Sequence, residues 1–169
     1  IDVTATGVFI GGAKVVLTDL VATNGVIHVI NKVILPPSVV DIAIASPAHT
    51  MLVELVKAAA LVEALSGTGP FTIFAPTNDA FGKLDKALVE ALVKDPKALG
   101  DVLKFHVVSA KVMAADVKDG EVATLLGPKV TLKKDAGGVT VNGAKVVLPD
   151  LAGTNGVVHV IDSVLLPPK

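Results

Sequence analysis

Apolar and polar positions along this chain follow two periods, and the change from one to the other divides it. Near the start the apolar positions fall in short, β-branched runs, Val15-Val16-Leu17 and Val26-Ile27-His28-Val29-Ile30, separated by Thr23-Asn24-Gly25. Such runs predict strands, and Asn-Gly supplies the positive φ of a tight turn between them. Two strands bury too little surface to be stable alone in water, so this segment needs a partner. Pro36-Pro37 ends it as a stiff linker.

From Ser38 the pattern becomes helical. Val39–Ala45 leads into Ser46-Pro47, which reads as an N-cap followed by Pro at the first helical position. Leu52, Leu55, Val56, Ala59 and Val62 recur at helical spacing and predict one buried face. Ser66-Gly67-Thr68-Gly69-Pro70 stops that helix, and Phe71–Ala75 predicts a strand cut off by Pro76. Thr77 is expected to cap the next helix, with Asp79 in its first turn favourable to the helix dipole. Its apolar stripe is Phe81, Leu84, Leu88 and Leu92. Asp95-Pro96 opens a further helix that carries Leu99, Val102 and Leu103 towards Phe105-His106. After Val107-Val108 the period shortens again, predicting strands at Glu121–Leu125, Val130–Lys133, Val139–Val141, Lys145–Leu148 and Val157–Ile161. Helices first and strands later predict an α+β domain.

One stretch occurs twice. Aligning residues 12–37 with 143–168 gives 19 identities in 26 positions at a constant offset of 131. That period exceeds the ~20–50 residues of solenoid and propeller units and has the size of a whole domain. The expectation is one complete domain, 38–169, preceded at 1–37 by the terminal strands of another copy.

Composition narrows the chemistry. Apolar residues make up 51% of the 169 and aromatics 3%, so the core must be aliphatic. No apolar run approaches the ~18 residues that cross a bilayer, and no basic-then-apolar leader opens the chain at Ile1. With no initiator Met, the chain reads as a processed product or an excised piece. Net charge is −1, from 15 basic and 16 acidic residues spread evenly, which argues against nucleic-acid binding. Cysteine is absent, which excludes disulfides and thiolate chemistry. Arg, Gln, Tyr and Trp are absent too, a bias that marks either unusual usage or an idealised, partly reconstructed sequence.

Phe71-Thr-Ile-Phe-Ala-Pro-Thr-Asn-Asp-Ala-Phe81, Phe105-His-Val-Val108 and Asn155-Gly-Val-Val-His-Val-Ile-Asp-Ser-Val-Leu-Leu-Pro167 together resemble the fasciclin domain. The first and last are similar to that family's two signature segments, in its order and at its spacing. The resemblance covers about residues 38–168, and residues 1–37 resemble the tail of a preceding fasciclin domain. It implies a wedge-shaped β-sandwich with helices packed along one side. It also implies an extracellular, secreted or surface-associated adhesion module, often in tandem, whose partners are cell-surface or matrix proteins or polysaccharide. The resemblance further implies two contact sites, where animal members have proposed integrin-contacting residues. One is an Asp-Ile pair before the Asn-Gly turn, matched here by Asp150-Leu151 and, in the partial copy, Asp19-Leu20. The other is a Tyr-His pair, matched by Phe105-His106. Both departures fall on contacting residues, which moves the expectation from integrin recognition to generic adhesion or matrix association.

The signature positions Thr77, Asp79, Phe81, Asn155, Gly156 and His159 are expected to be structural. His106 and His159 are then packed, hydrogen-bonded core histidines, with Thr77 and Asp79 as expected partners. No catalytic constellation is visible. There is no Gly-x-Ser-x-Gly, no P-loop and no zinc-spaced pair among His28, His49, His106 and His159. Neither a cofactor nor a metal is expected, and a small-molecule pocket between helices and sheet is a separate, weaker option. The alternative to adhesion is a self-assembling subunit in which residues 1–37 pair with, or exchange into, a neighbouring domain.

Overall fold

A computed structural model describes residues 1–168 and divides the chain into two units, Ile1–Pro36 and the residues from Pro37 onward. The first unit is an antiparallel meander of β1 (Asp2–Thr4), β2 (Gly7–Ile10), β3 (Ala13–Ala22) and β4 (Gly25–Ile30), in that spatial order. The β-branched runs read from the sequence are its last two strands. β1 and β2 lie in a stretch whose alternation is too short to stand out.

The second unit opens with α1 (Val39–Ala45), a 3₁₀ turn (Pro47–His49), α2 (Thr50–Ala58) and α3 (Val62–Leu65). β5 (Phe71–Pro76) follows, then α4 (Asn78–Gly82), α5 (Lys86–Lys94), α6 (Pro96–Phe105) and the short β6 (Val107–Val108). The chain closes with β7 (Gly120–Ala123), β8 (Lys129–Asp135), β9 (Gly138–Val141), β10 (Ala144–Gly153) and β11 (Gly156–Ile161). The seven strands form one sheet in the order β6-β5-β11-β10-β9-β8-β7. β5 and β11 pair in parallel, the other neighbours antiparallel. An isolated bridge between Val108 and Thr124 joins the two ends, so the sheet rolls into a near-barrel with helices along one side. This is the α+β arrangement that the order of periods predicts.

Two cores explain why β5 and β11 are apolar on both faces. Phe74 and Ile161 join Phe105, Val130, Leu132 and Val141 inside the rolled sheet. Ile73, Ala75 and Val158 face the other way, onto Val39, Leu52, Leu65, Leu99 and Leu103 of the helices. Period-2 alternation therefore separates two buried environments instead of core and water.

Two predicted helices are broken. Asp85, whose Oδ1 accepts the Ala87 N–H at 3.0 Å, caps a new helix inside the expected Phe81–Leu92 stripe. Leu88 consequently faces solvent. The helix predicted across Leu52–Val62 stops at Ala58, and Ala60 takes a positive φ of 53° before α3. Ser46 precedes Pro47 as read, but its hydroxyl bonds His49 Nδ1 at 2.8 Å and caps no backbone N–H. Side-chain caps also come from Ser38, in a reciprocal box with Asp41 for α1, and from Asp95, whose Oδ1 accepts from Lys97 and Ala98 N–H for α6.

Candidate functional site

The repeated Asn-Gly turn is a junction between helices and sheet. Asn155 is buried, and its Oδ1 accepts the Val39 N–H at 3.0 Å. Its Nδ2 donates to Leu65 O at 2.9 Å and Gly67 O at 2.8 Å. One side chain thus ties the start of α1 and the end of α3 to the β10–β11 turn. Gly156 is required for a different reason. A Cβ there would lie 2.1 Å from Phe71 O, so a side chain would drive β5 off β11.

His159 lies on the strand after that turn, stacked on Phe74 with ring centroids 5.7 Å apart. Its Nδ1 accepts the Asp150 N–H at 3.1 Å, so the ring proton sits on Nε2, which donates to Val112 O at 2.7 Å. Asp150 sits where β10 shifts register against β11, with a positive φ of 59° that Asp tolerates better than most residues. Its Oδ1 accepts the Ala114 N–H at 2.8 Å. Thr72 Oγ1 accepts the Val112 N–H at 2.9 Å, and Lys134 Nζ donates to Ala114 O and Ala115 O at 3.0 Å. Side chains from β5, β8, β10 and β11 therefore converge on the backbone of one loop. Sequence reasoning missed this anchor. Its only trace was a polar residue, Thr72 or His159, inside an otherwise apolar strand.

Phe105 and His106 lie in the core. Phe105 is 1% exposed and His106 2%. His106 Nε2 accepts the Leu165 N–H at 2.9 Å, which puts the proton on Nδ1, donated to Val102 O at 2.8 Å. Burial lowers this histidine to about 4, the Val102 bond opposing only in part. A contact residue must reach its partner, and neither side chain reaches solvent. The expected contact surface is thus reduced to the Asp-Leu pairs.

Thr77 and Asp79 serve neither histidine. Thr77 caps α4 by accepting the Ala80 N–H at 3.2 Å, Asp79 is exposed in the first turn, and Phe81 is buried in the helix-side core. Of the Asp-Leu pairs, Leu151 is half-buried against the helix-side core and the Asp150 carboxylate is turned towards Ala114. Asp19 and Leu20 are both exposed, and Asp19 repeats the positive φ at 61°. The Asp19 N–H donates to His28 Nδ1 at 3.2 Å, as Asp150 does to His159.

A partly open apolar cleft lies between α1, α2 and β5 and is lined by Val39, Leu52, Val56, Ile73 and Lys57. His106 also borders it, but both its ring nitrogens are already bonded. No group of His, Asp and Glu among the described residues is placed to hold a metal ion. Among the same residues no single helix is long and apolar enough to cross a membrane. The geometry offers two matching backbone corners, at Asp19 and Asp150, each fixed by its N–H donating to a histidine Nδ1 on the next strand.

Comparison with known proteins follows the same lines. The fasciclin domain matches residues 1–36 and 47–167. Protein sll1483 from Synechocystis sp. is 49% identical over 133 residues, 78% of this chain and 74% of that protein. Cell surface glycolipoprotein MPB83 from Mycobacterium bovis is 38% identical over 108 residues, 64% of this chain but only 48% of that protein. In fold, the chain is similar to the FAS1 domain pair of the insect cell adhesion molecule fasciclin I. The TM-score is 0.64 at 22% identity, over 92% of this chain and 60% of that one. The chain belongs to the fasciclin domain family.

Proposed function

We propose that this chain is a non-catalytic adhesion module that works outside the cell or at its surface, joining cell-surface or matrix protein or polysaccharide. The observation that carries this reading is the family match, which takes in both units. Two relatives support its direction, one named as a cell surface glycolipoprotein and one as a cell adhesion molecule. Within the chain, Asp19-Leu20 is the favoured contact, because it keeps the backbone corner of Asp150-Leu151 with both side chains exposed. An anchored backbone with a free acidic and a free apolar side chain loses little entropy on binding.

The test is attachment of cells, or of matrix polysaccharide, to immobilised protein. Retention well above that of an unrelated protein of similar charge is the expected result. Replacing Asp19 and Leu20 together by Ala should lower it about tenfold, the loss typical of a contact hot spot, while the melting temperature of the second unit stays unchanged. Retention equal to the control would overturn the adhesive reading. Retention untouched by the double substitution would remove Asp19-Leu20 from it.

A further inference from the structure

The first unit is a pair-for-pair copy of the strands that close the second. Asp2↔Phe9, Phe9↔Lys14, Val15↔Ile30, Leu17↔Val29 and Leu20↔Ile27 become Lys133↔Thr140, Thr140↔Lys145, Val146↔Ile161, Leu148↔Val160 and Leu151↔Val158 on adding 131. Both register shifts fall at equivalent places. One thing differs. The outer edge of β11 carries β5, whereas β4 ends its sheet with no neighbour there among the described residues.

Residues whose shape is explained by β5 in the second unit are retained in the first with nothing to explain them. Val157, Val158 and Val160 are 0%, 1% and 5% exposed, but Val26, Ile27 and Val29 are 54%, 58% and 40% exposed. Gly156 must be glycine because Phe71 O lies where its Cβ would be, yet nothing lies within 4 Å of a Cβ at Gly25. The partners of Asn155 and of His159 Nε2 are Val39, Leu65, Gly67 and Val112, all outside the repeated segment, and Asn24 and His28 are exposed.

We propose that the outer edge of β4 is an acceptor for the body of a fasciclin domain lacking its own closing strands. That body would supply a parallel, β5-like strand of the Phe-Thr-Ile-Phe-Ala-Pro kind. The register follows from the repeat: this strand starts opposite Gly25 and ends opposite Ile30, as Phe71–Pro76 does along Gly156–Ile161. Parallel strand addition supplies backbone hydrogen bonds, and the alternating side chains select the partner. A second, folded copy of this chain is not the occupant, because its β5 already pairs with β11 on one edge and with β6 on the other. The proposal is independent of the adhesive reading.

The experiment mixes the intact chain with a fragment of residues 38–131 and follows amide hydrogen exchange at Val26–Ile30. A second arm joins the same residues ahead of Ile1, so that association no longer depends on concentration. The expected result is protection of these amides by at least ~100-fold, with a one-to-one complex in the first arm. Gly25→Val, a substitution into open space in the free chain, should abolish that protection and leave exchange in the second unit unchanged. Amides that stay unprotected in both arms, or protection that survives Gly25→Val, would overturn the proposal. An adhesion assay on the same proteins is unaffected by either result.

Discussion

At the scale of single residues, the decisive feature of His106 is that both ring nitrogens are committed to backbone groups inside the core. Its neutral form belongs to the fold, and protonation would place a second donor against the Leu165 N–H. Burial holds its folded value at about 4, below the ordinary histidine value of 6.5, so between these values the unfolded chain binds more protons. Stability from this group is therefore complete above pH ~6.5 and lost as pH falls towards ~4, by up to about 3 kcal/mol. His49 is also lowered by burial, and it acts in the same direction. Melting temperature followed from pH 7 to 4.5 should fall steeply, and His106→Gln should flatten that slope while lowering stability at pH 7. An unchanged slope in the variant would assign the acid sensitivity elsewhere. The sequence left His106 two roles, a packed core histidine and half of a contact pair with Phe105, and its burial decides for the first. Its partners were not legible, because they come from Leu165, remote in sequence, and from the carbonyl of its own helix.

At the scale of elements, the closing hairpin of β10 and β11 shows how one sequence serves two environments. Gly156 lies against β5 and Gly25 lies against nothing. Gly156→Ala should therefore cost about 2–3 kcal/mol or more, as overpacking against a backbone does. Gly25→Ala should change stability by no more than ~0.5 kcal/mol. Urea denaturation of both variants measures the contrast, and equal effects would mean that β5 does not set the requirement. Strand existence here was readable from β-branched runs and Asn-Gly turns. The helical side was less so. Leu84, Leu88 and Leu92 keep helical spacing across Lys83–Asp85, so periodicity joined two helices that the Asp85 cap separates. An Asp side chain accepting a nearby N–H competes with helix continuation, and spacing of apolar residues carries no information about that competition.

At the scale of the whole molecule, the two units should open on different terms. β11 is buried along its length between two cores, so its amides exchange only when the second unit unfolds. β4 is exposed and unpaired on one side, and local fraying is enough to release it. Hydrogen exchange of the intact chain should thus show Val157–Ile161 at least ~100-fold slower than Val26–Ile30. Comparable rates would mean that the first unit has found a cover.

The amino-acid sequence by itself determined the α+β class, the domain-length repeat, the aliphatic core and the turn that closes each copy. These depend on local periodicity, on turn chemistry and on comparing the chain with itself. Only the tertiary structure decided that β5 lies parallel to β11, that Phe105 and His106 are out of reach, and that Asp150 is turned inward while Asp19 is free. Asp19 and Asp150 stand at equivalent places in the repeat, each followed by Leu, with Thr18 before one and Pro149 before the other. Their difference arises from Ala114 and Val112, which cross the second copy and have no counterpart in the first, so no local reading of either segment distinguishes them.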